Sequence, residues 1–276
     1  MIIRQKYLDQ LVRFQEKDLI KVVTGVRRCG KSTLLQMMGE YLERQGVSRE
    51  RLFFFKMESM EFDEIRTYRQ LYDLVRSRIG SVERPYLFFD ELQEVEGWEK
   101  AVNSLRVDFD CDIYLTGSNA YLLSSELSTL LSGRYVEIEM LPLTFSEYLD
   151  FRGMEWFSAE GSQADLAKGA DGTFATLDRL FAQYRQYGGL PFLSFSEPDR
   201  DVHRAYCRSL YETVIVRDIL ERDRRRDRRR LSSPDLLEKT CQFLADNVGS
   251  ENSVNSIAGA LRGEGVQASN PTVDAY

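Results

Sequence analysis

Apolar and polar positions follow two different periods along the first half of the chain. Short runs at 19–23, 52–55, 86–89, 113–115 and 135–138 are apolar and rich in aromatic and β-branched residues, as buried strands are. Between them the spacing becomes helical. Leu34, Leu35, Met38 and Leu42 share a face opposite Gln36, Glu40 and Glu43. Ile65, Tyr68, Leu71, Tyr72, Val75 and Ile79 make a second stripe, and Trp98, Val102 and Leu105 a third. Residues 4–14 read as a helical lead-in and about 120–131 as a helix before the fifth strand. Strands alternating with helices predict an α/β domain with a parallel sheet flanked by helices.

The pattern then changes. Pro142 ends the fifth strand, and Thr144 with Glu147 three positions on predicts a capping box opening another helix. Residues 153–173 turn to Gly, Ala, Ser and Asp with little periodicity, the composition of a loop or linker, so the first domain is expected to span 1–152. A helical region follows over 174–231. Leu177, Leu180, Phe181 and Tyr184 make a helix stopped at Gly188-Gly189, and a long helix from about 199 to 230 ends in a run with seven Arg and two Asp over 222–230. Residues 232–276 read as two helices, a Gly-rich turn at 263–265 and a third helix capped by Ser269-Asn270. This is helix-turn-helix spacing, with a last helix expected to be too short to pack well.

A chain of 276 residues has room for a core domain and a smaller one. Lys and Arg total 37 against 44 Asp and Glu, a net charge of −7, so any contact with DNA must be local, at the C-terminal helices or the arginine run. That run reads more simply as a solvated helix end. Cys29, Cys111, Cys207 and Cys241 form no CxxC pair and His203 is the single histidine, which argues against zinc and disulfide frameworks. A reducing, cytoplasmic setting is expected. No apolar run is long enough to span a bilayer, so no membrane partner is expected.

The chemistry sits where the first strand meets its helix. Gly25-Val26-Arg27-Arg28-Cys29-Gly30-Lys31-Ser32, followed by Thr33, matches the phosphate-binding P-loop at each fixed position. Glycines let the backbone N–H groups close around phosphates, and the following helix turns its positive end toward them. Lys31 is expected on the β- and γ-phosphate oxygens and Ser32 on Mg²⁺. Arg27 and Arg28 occupy the variable part of the loop and read as solvated, Cys29 as a small filler rather than an oxidisable thiol. The third strand ends in Asp90-Glu91. Asp90 is expected to hold Mg²⁺ with Ser32, and Glu91 to orient and polarise the attacking water. After the fourth strand, Asn119 and then Ser118 are candidates for the γ-phosphate or the water, though both are equally good helix N-caps. Arg134 is a candidate for phosphate charge in cis or in a neighbour's site, or for a surface salt bridge.

Several motifs occur in order: the P-loop run over 24–35, Phe89-Asp90-Glu91-Leu92-Gln93, Gly97-Trp98-Glu99, Leu115-Thr116-Gly117-Ser118-Asn119 and Ser132-Gly133-Arg134-Tyr135. The stretches 141–148, 187–191 and 216–220 extend them. On these residues the chain resembles the prokaryotic AAA-type ATPases that carry a C-terminal domain of unknown function. The resemblance implies a sheet order 5-1-4-3-2, ATP with Mg²⁺ as cofactors, Walker roles for Lys31, Ser32, Asp90 and Glu91, and a sensor role for Asn119. It also implies a winged-helix-like segment and then a nuclease-like fold, so 232–276 is expected to be a partial winged helix, cut short. The function expected is Mg²⁺-dependent ATP hydrolysis coupled to control of a protein partner or DNA, with an oligomer open. The alternatives are a nucleotide-gated switch with little turnover and, further off, a P-loop kinase.

Overall fold

The computed structural model describes residues 2–117, 131, 133–157, 165–195, 199–213 and 234–275. They fall into two compact units, Met1–Pro198 and Asp199–Tyr276.

In the first unit the expected strands are β1 (Ile20–Thr24), β2 (Leu52–Lys56), β3 (Tyr86–Asp90), β4 (Asp112–Thr116) and β5 (Tyr135–Glu139). All pairings are parallel, in the order β2-β3-β4-β1-β5, which is the order the resemblance implied. The two-residue period of a strand divides the core into two layers. Ile20, Val22, Leu87, Phe89, Ile113 and Leu115 pack with α3 (Tyr68–Ile79) and α4 (Trp98–Asp108). Val23, Phe88, Tyr114 and Ile138 pack with α1 (Gln5–Arg13) and α2 (Lys31–Arg44). Cover on both faces explains why the strands read as nearly unbroken apolar runs. The helix expected at about 120–131 lies, but for Leu131, outside the described residues.

A buried ion pair interrupts this core. Lys21, fully buried in β1, donates to the Asp112 carboxylate at the start of β4. The same carboxylate accepts the Tyr114 hydroxyl at 2.7 Å and the Glu16 N–H at 2.9 Å. Burial lowers the Lys21 pKa, and Asp112 opposes that shift.

After β5 the predicted capping box of Thr144 and Glu147 opens α5 (Phe145–Phe151). The stretch 153–173 differs from the linker expected there. It carries β6 (Met154–Phe157) and β7 (Leu166–Gly169), which form an antiparallel sheet with β8 (Phe174–Thr176). Small residues serve close packing here: Ala167 is fully buried with Tyr148 and Leu149 of α5 and Leu180 of α6 (Leu177–Tyr187). A Cβ on Gly169 would lie 2.6 Å from the Asp171 carboxylate. With α7 (Pro191–Phe195), the unit runs on to Pro198 rather than closing at 152.

In the second unit α8 (Arg200–Glu212) is the described part of the long helix expected over 199–230; the arginine run lies outside the described residues. Next come α9 (Pro234–Asp246), α10 (Val254–Gly263) and α11 (Asn270–Ala275). Leu236, Ile257, Ala258, Leu261, Ala268 and Val273 make their common core. The last helix, expected to pack poorly, buries Val273 and is capped by Ser269, which accepts the Thr272 N–H at 3.3 Å. Among the described residues no helix is long and apolar enough to cross a membrane.

Candidate functional site

The chain leaves β1 at Thr24 and turns sharply into the P-loop. Gly25 has φ +142°, and a Cβ there would sit 2.1 Å from the Met140 carbonyl oxygen, so only glycine fits. Gly30, at φ +107°, precedes α2, whose first turn carries no side-chain cap, as suits a helix end that receives a phosphate. Lys31 is buried, and its ammonium donates to the carbonyls of Gly25 at 3.1 Å and Val26 at 3.2 Å, which holds it inside the loop. Cys29 is fully buried. Burial pushes its thiol up despite Lys31 and Arg4 nearby, which agrees with a packing role.

The Walker carboxylates meet the loop at the carboxyl ends of the strands. The Ser32 hydroxyl donates to Asp90 Oδ1 at 2.9 Å, and the Thr116 hydroxyl to the same oxygen at 2.5 Å. Thr116 Oγ1 in turn accepts the Glu91 N–H at 3.2 Å. Glu91 has φ +54°, a left-handed conformation that costs a non-glycine residue about 1–2 kcal/mol. Its carboxylate accepts the side-chain amide of Gln93, whose own carbonyl oxygen is buried without a partner. Glu58, just past β2, faces the same ensemble. Desolvation and then the Glu91 charge push its carboxyl up, with Arg27 opposing.

Lys31, Ser32, Asp90 and Glu91 thus lie together where the P-loop meets the end of β3. Ser118 and Asn119 lie outside the described residues. Arg134 is elsewhere. Its carbonyl accepts the N–H of Ile20, the first residue of β1, and its guanidinium donates to Asn103 at 2.9 Å. The length of β1, roughly 13 Å at about 3.3 Å per residue, separates that edge from the P-loop. Among the described residues Arg134 forms no salt bridge, so its guanidinium is held by Asn103 and not by a carboxylate there. Thr116, Gln93 and Glu58 were not among the sequence candidates. Thr116 had a signal, since it ends the strand beside β3.

Beside the P-loop lies a cavity of about 300 Å³ with mostly apolar walls. Ile2, Met37, Met140, Phe151 and Phe195 contribute to it, with Arg4 and Gly30 on the loop side.

Comparison with known proteins gives consistent relatives. Residues 17–149 match the family model described as AAA domain. The chain is 39% identical over 277 residues to an uncharacterized protein of Haemophilus influenzae, a match covering 100% of this chain and 63% of that protein. It is 29% identical over 204 residues to an uncharacterized protein of Methanocaldococcus jannaschii, covering 74% and 42%. The chain therefore spans less than two thirds of the length of either relative. Among solved structures, a Walker-type ATPase of Pyrococcus abyssi is similar with a TM-score of 0.58 at 15% identity, covering 100% of this chain and 87% of that one. This last is a likeness of fold.

Proposed function

We propose that this chain is a prokaryotic AAA-type P-loop ATPase, with the AAA-domain match over residues 17–149 in support, that it binds ATP with Mg²⁺ and hydrolyses the β–γ bond, and that occupancy of the site controls a partner. The convergence of the Ser32 and Thr116 hydroxyls on Asp90 Oδ1, beside Lys31 and Glu91, carries this reading. The loop amides and Lys31 bind the phosphates. Thr116 holds both Asp90 and the backbone of Glu91, so Glu91 is aimed to take a proton from a water attacking the terminal phosphate. The apolar cavity beside Gly30 receives the base between Met37, Met140 and Phe151.

The donors fit Mg²⁺, which takes oxygen ligands and needs only one or two from the protein when phosphates supply more. Ser32 and Asp90 are hard oxygen donors in contact, and among the described residues no group of His, Cys, Asp or Glu would hold a metal ion alone. When bound, the ion neutralises charge developing on the phosphate oxygens.

A second reading, a switch with little turnover, draws on the amide of Gln93 already occupying the Glu91 carboxylate. ATP binding and steady-state turnover of the full chain, with and without Mg²⁺ and duplex DNA over a series of protein concentrations, separate the readings. Saturable, Mg²⁺-dependent turnover supports the ATPase, binding without turnover the switch, and no binding at millimolar ATP removes both. DNA as the partner, through the C-terminal helices, requires a salt-sensitive gel shift, and none at low salt removes it.

A further inference from the structure

The turn Leu141-Pro142-Leu143 between β5 and α5 has a partner for each of its backbone polar groups. The Leu141 N–H donates to the Tyr7 hydroxyl at 3.1 Å and the Leu143 N–H to the Gly189 carbonyl at 2.7 Å. The Leu143 carbonyl accepts the Tyr184 hydroxyl at 2.8 Å. The carbonyls of Leu141 and Pro142 accept from Arg4, at 2.7 and 3.3 Å.

Arg4 joins this turn to the P-loop. Its guanidinium, 4% exposed, also donates to the Cys29 carbonyl at 3.3 Å and forms a forked pair with Glu147 at 2.8 Å on both arms. A guanidinium has five N–H donors, and all are used here. The turn meets the loop at its entry as well. The Met140 N–H donates to Thr24 at 2.8 Å, and the Met140 carbonyl leaves no room for a side chain on Gly25.

We propose that Arg4 is a positioning residue through which the P-loop and the lobe of α5, β6–β8 and α6 move as one, so that phosphate entry is felt in that lobe. The inference rests on the nucleotide reading above. A planar fork with every donor committed in a buried place has no slack: if the Cys29 carbonyl shifts, either a donor is stranded or the turn and Glu147 follow. Stranding is the costlier course, so the shift passes to α5 through Glu147 and to α6 through Tyr184 and Gly189.

Hydrogen–deuterium exchange of the full chain, with and without ADP and Mg²⁺, tests this. In the wild type, nucleotide should change exchange at 25–35 and also at 145–151 and 177–187. In Arg4→Lys, which keeps the charge but not the fork, and in Glu147→Gln, which can still cap α5, the change at 25–35 should remain and that in the lobe fall several-fold. A merely structural Arg4 would raise lobe exchange equally with and without ADP, leaving the nucleotide-dependent difference intact, and that result overturns the proposal. So does a wild-type response confined to 25–35. If Arg4→Lys does not fold, Glu147→Gln decides on the same criterion. No response at 25–35 in the wild type removes the nucleotide reading and this inference together.

Discussion

The hydroxyl of Thr116, the last residue of β4, donates at 2.5 Å to Asp90 Oδ1 at the end of β3, and Thr116 Oγ1 itself accepts the N–H of Glu91. One side chain thus holds the carboxylate of Asp90 and the backbone of Glu91, and β3 pairs with β4 up to Phe89 to bring it there. Thr116→Val preserves shape and removes both bonds. A hydrogen bond to a charged group contributes about 1.5–3 kcal/mol, so turnover should fall roughly 10–100-fold with ATP affinity changed much less. Steady-state kinetics beside equilibrium binding measure the split. Unaltered turnover would remove Thr116 from the site.

Lys31 and Glu91 should separate binding from chemistry. Lys31→Ala takes the ammonium out of the loop and is expected to abolish ATP binding, read by calorimetry. Glu91→Gln keeps the side chain's shape and leaves the phosphate cradle untouched, so binding stays while turnover drops about 10²–10⁴-fold, the usual worth of a general base. A Glu91→Gln chain that turns over ATP at the wild-type rate would exclude the carboxylate as the base.

Gly25 tolerates no side chain. The obstacle to a Cβ is the Met140 carbonyl oxygen at 2.1 Å, which belongs to backbone fixed by its own hydrogen bond to Thr24. Gly25→Ala must push the loop from β5, and ATP binding should be lost while the helical far-ultraviolet circular dichroism signal persists. Gly46 is the control: it too has a positive φ, but nothing lies within 4 Å of the Cβ position, so Gly46→Ala should leave ATP binding intact.

The five strands and the described helices between them were legible because each rests on local spacing, as does the meeting of the P-loop with Asp90 and Glu91 at the end of β3. Lys21 was not legible as a buried ion pair: within its run it looks like an exception, and its partner Asp112 comes 91 residues later. The same holds for Thr116, whose importance depends on β3 and β4 being neighbours, and for Arg4, whose partners span the P-loop and α5. The sheet of β6–β8 escaped for another reason. Strands of three or four residues are too short to display a period, and Ala167 and Gly169 are small because the space is small, which looks like loop composition from sequence alone.

Arg134 is exposed at the start of β5, away from its own P-loop, so any part it has in hydrolysis requires the phosphates of a neighbouring chain. Arg134→Ala should then be defective in turnover yet keep ATP affinity. Mixing it with Lys31→Ala should restore activity, because the first chain offers a competent loop and the second an intact arginine. Rescue that grows with protein concentration indicates assembly. If Arg134→Ala turns over normally, its bond to Asn103 is its whole role.

Acid should loosen the junction of Arg4 and Glu147 only after it has reached ordinary carboxylates. Burial pushes the Glu147 carboxyl up, but the Arg4 guanidinium and the N–H and hydroxyl of Thr144 outweigh it and hold the group below its usual 4.5. The folded protein therefore binds this proton more weakly than the unfolded chain. The stability contributed is fully present above about 4.5 and is lost as pH falls through the depressed folded value. Glu147→Gln has no proton to gain. In urea titrations from pH 7 to 3 its midpoint should start lower than the wild type's and fall less steeply below 4.5, so that the two curves converge. Curves that stay parallel throughout would show that the Arg4 pair contributes no proton-linked stability.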